Sequence, residues 1–227
     1  MSKAFESLQK ELVACGRCDR LVAWREQVGA EKRAAFRHET YWARPVPSFG
    51  DPAARLLVLG LAPAAHGANR TGRVFTGDGD PQWLFRALHR AGFASQPFSR
   101  DPRDGLRLHD CVVTNAVHCV PPGNRPSATE LAICGRSFLD RELAALPHLQ
   151  VVVALGRLAF DAYLAAAARL GHQPKPRPRF GHLAAVEEGL PHVLLASYHP
   201  SRQNTNTGLL TEPMFDRVFT EVRRRLA

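Results

Sequence analysis

The chain of 227 residues is short of several things, and each shortage closes off a class of answer. No apolar run approaches the roughly 20 residues that a helix needs to cross a bilayer. The opening stretch MSKAFESLQKELVACGRC holds no apolar core of the kind that directs secretion. A soluble cytoplasmic protein with no membrane association, acting as a monomer, is expected. No internal repeat and no break in composition marks a second domain, so one domain over residues 1–227 is expected, its N-terminal segment carrying a cysteine site. Acidic residues are also short, 21 against 30 Lys and Arg, for a net charge of +9. That excess favours an anionic partner, nucleic acid first. A basic surface kept for solubility is the plainer alternative.

Cysteine is scarce, with five in a chain that has no export signal. Disulfides are not expected in a reducing compartment, so metal or redox chemistry is the better reading. Cys15 and Cys18 form a C-x-x-C pair; Cys119 and Cys134 follow about a hundred residues later. Four thiolates suit zinc or an iron–sulfur cluster, and buried unligated cysteines are a third option. The spacing alone does not choose. A zinc ribbon usually has two tight pairs, whereas the second pair here is wide, which tilts the balance to iron–sulfur. No substrate-facing acid or base lies beside these cysteines in sequence, so a structural or redox-sensing centre is expected. Cys111 opens an apolar run and reads as a small apolar residue.

Four apolar runs of buried-strand length are present, at residues 56–59, 111–114, 151–155 and 193–196. Helical patterns alternate with them, over residues 3–14, 81–92, from 127 or 129 to 146, 158–170 and 212–226. A basic segment follows the first cysteine pair to about Arg37, and residues 41–47 form an extended, proline-bound arm. Residues 95–108, 172–182 and 202–211 read as loops. Strands alternating with helices argue for an α/β fold with a parallel sheet covered on both faces. Ligands of such sheets bind beyond the carboxyl ends of the strands. Those ends are Gly60-Leu61-Ala62-Pro63, Asn115, Gly156-Arg157 and His199-Pro200-Ser201. One pocket along that edge would gather Phe75, Asp78, Asn115, Asn124 and His199. The loop after Gly60 is built of small residues, so a ligand can approach its backbone closely.

The segments GLAPAAHGANRTGR, FTGDG and SYHPSRQNTNTG, taken with the wide cysteine pair, resemble the type b (family 5) uracil-DNA glycosylases. The likeness runs over nearly the whole chain. It implies a three-layer α/β/α sandwich around a four-stranded parallel sheet, and a [4Fe-4S] cluster on Cys15, Cys18, Cys119 and Cys134. It implies monofunctional excision of uracil from DNA in base excision repair. Related deaminated or modified bases such as hypoxanthine, xanthine and 5-hydroxymethyluracil are implied as further substrates. DNA containing such bases would be the partner.

Carried onto this sequence, the resemblance implies that a flipped base stacks on Phe75 and meets the backbone of Gly60, Ala62 and Ala64. His199 would donate to a base oxygen, and fixed donors aimed at developing charge are often a large catalytic term. Positions 61 and 62, where other branches carry an acid or Asn, hold Leu and Ala. Asp78 would therefore orient the water or stabilise the cationic sugar, with Asn124 helping to place the water and Asp80 as second choice. Arg70, Arg73, Ser201, Arg202, Gln203 and Asn204 would contact DNA. Asn115 stands where type b members often have a small residue. Its amide has both donor and acceptor, which implies a stronger uracil preference than the family norm. A catalytically inactive iron–sulfur damage-binding protein and an iron–sulfur redox sensor are the competing readings.

Overall fold

In a computed structural model of the protein, residues 3–77 and 82–227 are described. In chain order the elements are α1 (Lys3–Val13), α2 (Asp19–Glu31), β1 (Phe49–Gly50), β2 (Leu56–Gly60), α3 (Ala68–Thr71) and α4 (Trp83–Arg90). Then come β3 (Cys111–Asn115), α5 (Ala128–Cys134), α6 (Asp140–Ala144), β4 (Val151–Leu155), α7 (Arg157–Arg169), β5 (Ala185–Val186), β6 (Val193–Ser197), α8 (Arg202–Asn206) and α9 (Glu212–Leu226).

The four apolar runs form parallel neighbours in the order β3-β2-β4-β6. The sheet has six strands rather than the expected four, because β1 and β5 pair antiparallel at its two edges. Each is two residues long, too short to show an alternation in sequence. The central strands are almost wholly buried, as expected when helices cover both faces. Alternate residues serve opposite layers. Leu56 and Val58 pack with α4 and α9, whereas Leu57 and Leu59 pack with α6 and α7.

Three local readings need correction, the first being that residues 202–211, expected as a loop, open with the short helix α8 capped by Ser201. The basic segment after Cys18 is largely a helix, α2, which buries Leu21, Arg25 and Val28. With a charged residue on the buried face, the apolar spacing that marks an amphipathic helix is weak there. The helix expected through residue 146 is broken by a π-helical turn at Gly135–Leu139. The widened turn shifts the buried face. Cys134 and Phe138 lie in a small apolar cluster with Leu8, Leu12 and Leu21, whereas Leu139 and Leu143 join the layer beneath the sheet. Ser127 starts α5 with a capping box, accepting from the Glu130 N–H while Glu130 accepts from its own.

Candidate active site and four-cysteine centre

The strand ends meet along one edge of the sheet. Gly60 ends β2 beside Asn115 at the end of β3, in register. Across the sheet, Ser197 ends β6 in register with Leu155, and Gly156 donates to the Ser197 carbonyl at 2.8 Å. His199 follows two residues later. A Cβ at Gly156 would stand 3.3 Å from the His199 Cβ. The edge thus presents Asn115, Gly60, Gly156 and His199 in that order.

Gly60 is where the site closes. A Cβ there would lie 2.5 Å from Asn115 Oδ1 and 2.5 Å from Phe75 Cζ. Only a residue without a side chain allows the amide and the ring to converge on this backbone. Phe75 is held with φ at +53°, a conformation unusual for a bulky residue, and its neighbours Thr71 and Arg73 brace the turn. Asn115 is only 2% exposed. Its side-chain amide hydrogen-bonds to none of the described residues, whereas most buried polar groups are paired. A planar amide without a partner beside an aromatic ring is equipped to take a flat polar ligand.

A cleft of about 280 Å³ is lined by Arg33, Phe36, Ala64, His66, Gly77, Asn124 and Arg202 among others. It brings together Ala64, Asn124 and Arg202, whereas Phe75, Asn115 and His199, expected in one pocket with Asn124, do not line it. Asn124 is exposed, with φ at +56°. Arg33, Phe36 and His66 were missed in sequence, since no motif around them signals a ligand. Burial, together with the charges of Arg33 and Arg70, pushes His66 below its ordinary range. His199 is pushed down to about 4 by burial, so at neutral pH it is an uncharged imidazole. Ala62 packs toward the cysteine-side cluster. Asp78 and Asp80 lie outside the described residues.

Several residues expected at DNA have other work. Arg73 is 5% exposed and bonds Asp104 and Ser99, each at 2.6 Å, so it fastens the 71–77 loop inside the protein. Arg70 donates to the carbonyls of His66 and Gly77, pairs with Glu39 and lies 3.9 Å over the Phe36 ring. Ser201 caps α8 by accepting from the Asn204 N–H. Asn204 in turn donates to the His199 carbonyl at 2.8 Å and so holds the HPS turn. Gln203 and Arg202 remain exposed on α8. In each corrected case the polar side chain found a nearer partner than DNA, a choice that sequence spacing does not reveal.

On the other side of the 61–67 loop, all four expected cysteines line one small apolar pocket with Leu21, Val117 and Phe138. Among the described residues no three His, Cys, Asp or Glu side chains converge in the manner of a single-ion site. Burial raises the thiols of Cys18, Cys119 and Cys134 above their ordinary range. Donors nevertheless point at the sulfurs. The His118 backbone N–H serves Cys134, and Arg25 Nη1 lies 3.2 Å from Cys119 Sγ. Cys111 lies apart, fully buried at the start of β3. Behind the pocket, Glu142 joins Ser48, Gln9 and Thr114 in a buried network beside His118. Thr114 precedes Asn115, so this network also braces the strand that carries the unpaired amide.

Comparison with known proteins agrees with this architecture. Residues 47–223 match the Uracil DNA glycosylase superfamily. The type-5 uracil-DNA glycosylase of Thermus thermophilus is 52% identical over 219 residues, covering 96% of this chain and 97% of the relative. That of Mycobacterium tuberculosis is 48% identical over 211 residues, 92% of this chain and 77% of the relative. That of Pyrobaculum aerophilum is 44% identical over 223 residues, 98% and 92% respectively. A parallel sheet whose carboxyl edge carries a glycine, an aromatic, an amide and a histidine is thus matched by likeness along nearly the full length, and the chain belongs to the uracil-DNA glycosylase superfamily, among its type-5 members.

Proposed function

We propose that this protein removes uracil from DNA by hydrolysing the N-glycosyl bond, without cutting the strand. The observation that carries the reading is the corner of Gly60, Phe75 and Asn115, where an amide with no hydrogen-bond partner among the described residues faces a ring across a glycine. Uracil offers a carbonyl and an N–H side by side, and an Asn amide matches that pair with its donor and acceptor. The glycosidic bond is inaccessible in a stacked duplex, so the nucleotide is first extruded. Phe75 then stacks on the base, as aromatic side chains do with exposed bases. The small residues from Ala62 to His66 let the backbone approach it.

In the reaction, the bond between C1′ and the base nitrogen breaks and its electron pair goes to the base. A water oxygen bonds to C1′, and the proton it loses passes to solvent or to a nearby acid. The base leaves as an anion and is protonated later. His199, neutral at pH 7, donates one hydrogen bond to a base oxygen as this charge grows, and Asn115 donates another. Donors fixed before the reaction begins need no reorganisation as it proceeds. Asp78 is assigned to the water from the FTGDG motif alone, with Asn124 at the cleft as its companion. The exposed Arg202 and Gln203 on α8 face the duplex. Hypoxanthine, xanthine and 5-hydroxymethyluracil are proposed as slower substrates.

We further propose that Cys15, Cys18, Cys119 and Cys134 hold a [4Fe-4S] cluster. Four cysteines around one pocket are the ligand set that such a cluster takes. Thiols whose protonated form burial favours give up their protons on ligation. Bound there, the cluster would supply four iron–thiolate bonds that cross-link the N-terminal segment to the loop after β3 and to α5. The whole chain then acts as one domain.

The test is release of base from a labelled duplex carrying one uracil, read as strand cleavage after alkali. Cleavage that requires the alkali is the expected result. Binding without release, in protein that retains iron, would favour the damage-binding reading and overturn this one.

A further inference from the structure

Arg25 sits on the buried face of α2 and is 7% exposed. Its Nη1 donates to the Cys15 carbonyl at 3.1 Å and lies 3.2 Å from Cys119 Sγ. Its Nε is buried without a hydrogen-bond partner among the described residues. Among the described residues its one ion-pair contact is with Glu26, an exposed residue on the same helix, at 3.8 Å. A screened contact of that kind offsets little of the cost of burying a guanidinium. Burying a charge is costly unless a counter-charge is buried with it. Neutral thiols do not meet that need, whereas four cysteine thiolates around iron carry net negative charge into the same apolar pocket. The carbonyl of Arg25 also accepts from Asn69 Nδ2 at 3.3 Å, and Asn69 N–H donates to the Ala64 carbonyl at 3.1 Å. The residue therefore stands between the cysteine pocket and the loop that lines the cleft.

We propose that Arg25 is the buried counter-charge of the four-cysteine centre and sets its reduction potential, an inference that rests on the cluster reading above. A cation against the thiolates favours the more negative, reduced form, and hydrogen bonds to cluster sulfurs act in the same direction. Lysine keeps the charge but is shorter and lacks the planar Nη1 group that meets Cys119 Sγ and Cys15 O together. The potential should therefore fall in the order wild type, Arg25→Lys, Arg25→Gln.

The measurement is a redox titration of the full-length holoprotein with dithionite, followed by electron paramagnetic resonance, with iron and sulfide counted per chain. The expected result is full iron content in the wild type and a stepwise shift to lower potential in the two variants. Retention of iron with one potential in all three proteins would overturn the role of Arg25 while leaving the cluster intact. Wild-type protein purified anaerobically without iron would instead remove the cluster reading, and this inference with it. If Arg25→Gln does not fold, Arg25→Lys decides alone: a lowered potential supports the role, and an unchanged one refutes it.

Discussion

Replacing Asn115 separates catalysis from folding more cleanly than any other change at this site. Its amide is 2% exposed and hydrogen-bonds to none of the described residues, so the fold loses no hydrogen bond when it goes. Asn115→Ala strands no protein hydrogen-bonding group among the described residues. The same change removes only a few packing contacts against Phe75 and Gly60. The net effect on stability should lie within about 1 kcal/mol of zero, typical of a substitution with no mechanism for a large loss. Catalysis should behave differently. Removing one fixed donor to a developing oxyanion costs about 10²–10³ in rate, or roughly 3–4 kcal/mol. Asn115→Asp keeps the shape and loses the donor, so its rate loss should be at least as great. Both variants would be assayed under single turnover on a uracil duplex, with stability read from urea unfolding. The uracil preference should also shrink in Asn115→Ala, so the hypoxanthine-to-uracil rate ratio should rise. A rate within threefold of wild type would refute the role given to the amide, and a stability loss matching the rate loss would make Asn115 a structural residue.

Three further outcomes follow from the geometry. Gly60→Ala places a Cβ 2.5 Å from Phe75 and Asn115, so base release should fall sharply while overpacking costs about 1–3 kcal/mol, checked by urea unfolding alongside the activity assay. Arg73→Ala strands Asp104 in the interior and should cost about 3–5 kcal/mol, yet the salt dependence of DNA binding should keep its slope because no phosphate contact is lost. His199 has a folded pKa of about 4, below its unfolded value, so the unfolded chain takes up a proton first as pH falls. Stability attached to the neutral ring is whole above about pH 6.5 and is lost progressively down to pH 4. At pH 5 the loss should approach about 2 kcal/mol, and it should be absent in His199→Gln. A wild type and variant with parallel stability profiles between pH 7 and 5 would sink this account of the ring.

The elements that local pattern controls were legible in the sequence. Four apolar runs became four parallel strands because a strand buried on both faces needs apolar residues at every position. The cysteine pairs, the small-residue loop and Asn115 at a strand end could be read in the same way, since each is a contiguous signal. What the sequence left open depends on which partner a side chain meets in space. Arg70 and Arg73 look alike in the run Asn69-Arg70-Thr71-Gly72-Arg73, but packing turned one onto Phe36 and two carbonyls and sealed the other against Asp104, 31 residues away. Ser201 and Asn204 became a helix cap and a brace for His199, because a nearby backbone group competes with any external ligand. The edge strands β1 and β5 exist only because a neighbouring strand offers unpaired backbone groups to them. Arg25 gave no signal at all in sequence. Its contact with Cys119 joins residues 94 positions apart, and only the fold brings this buried guanidinium to that sulfur.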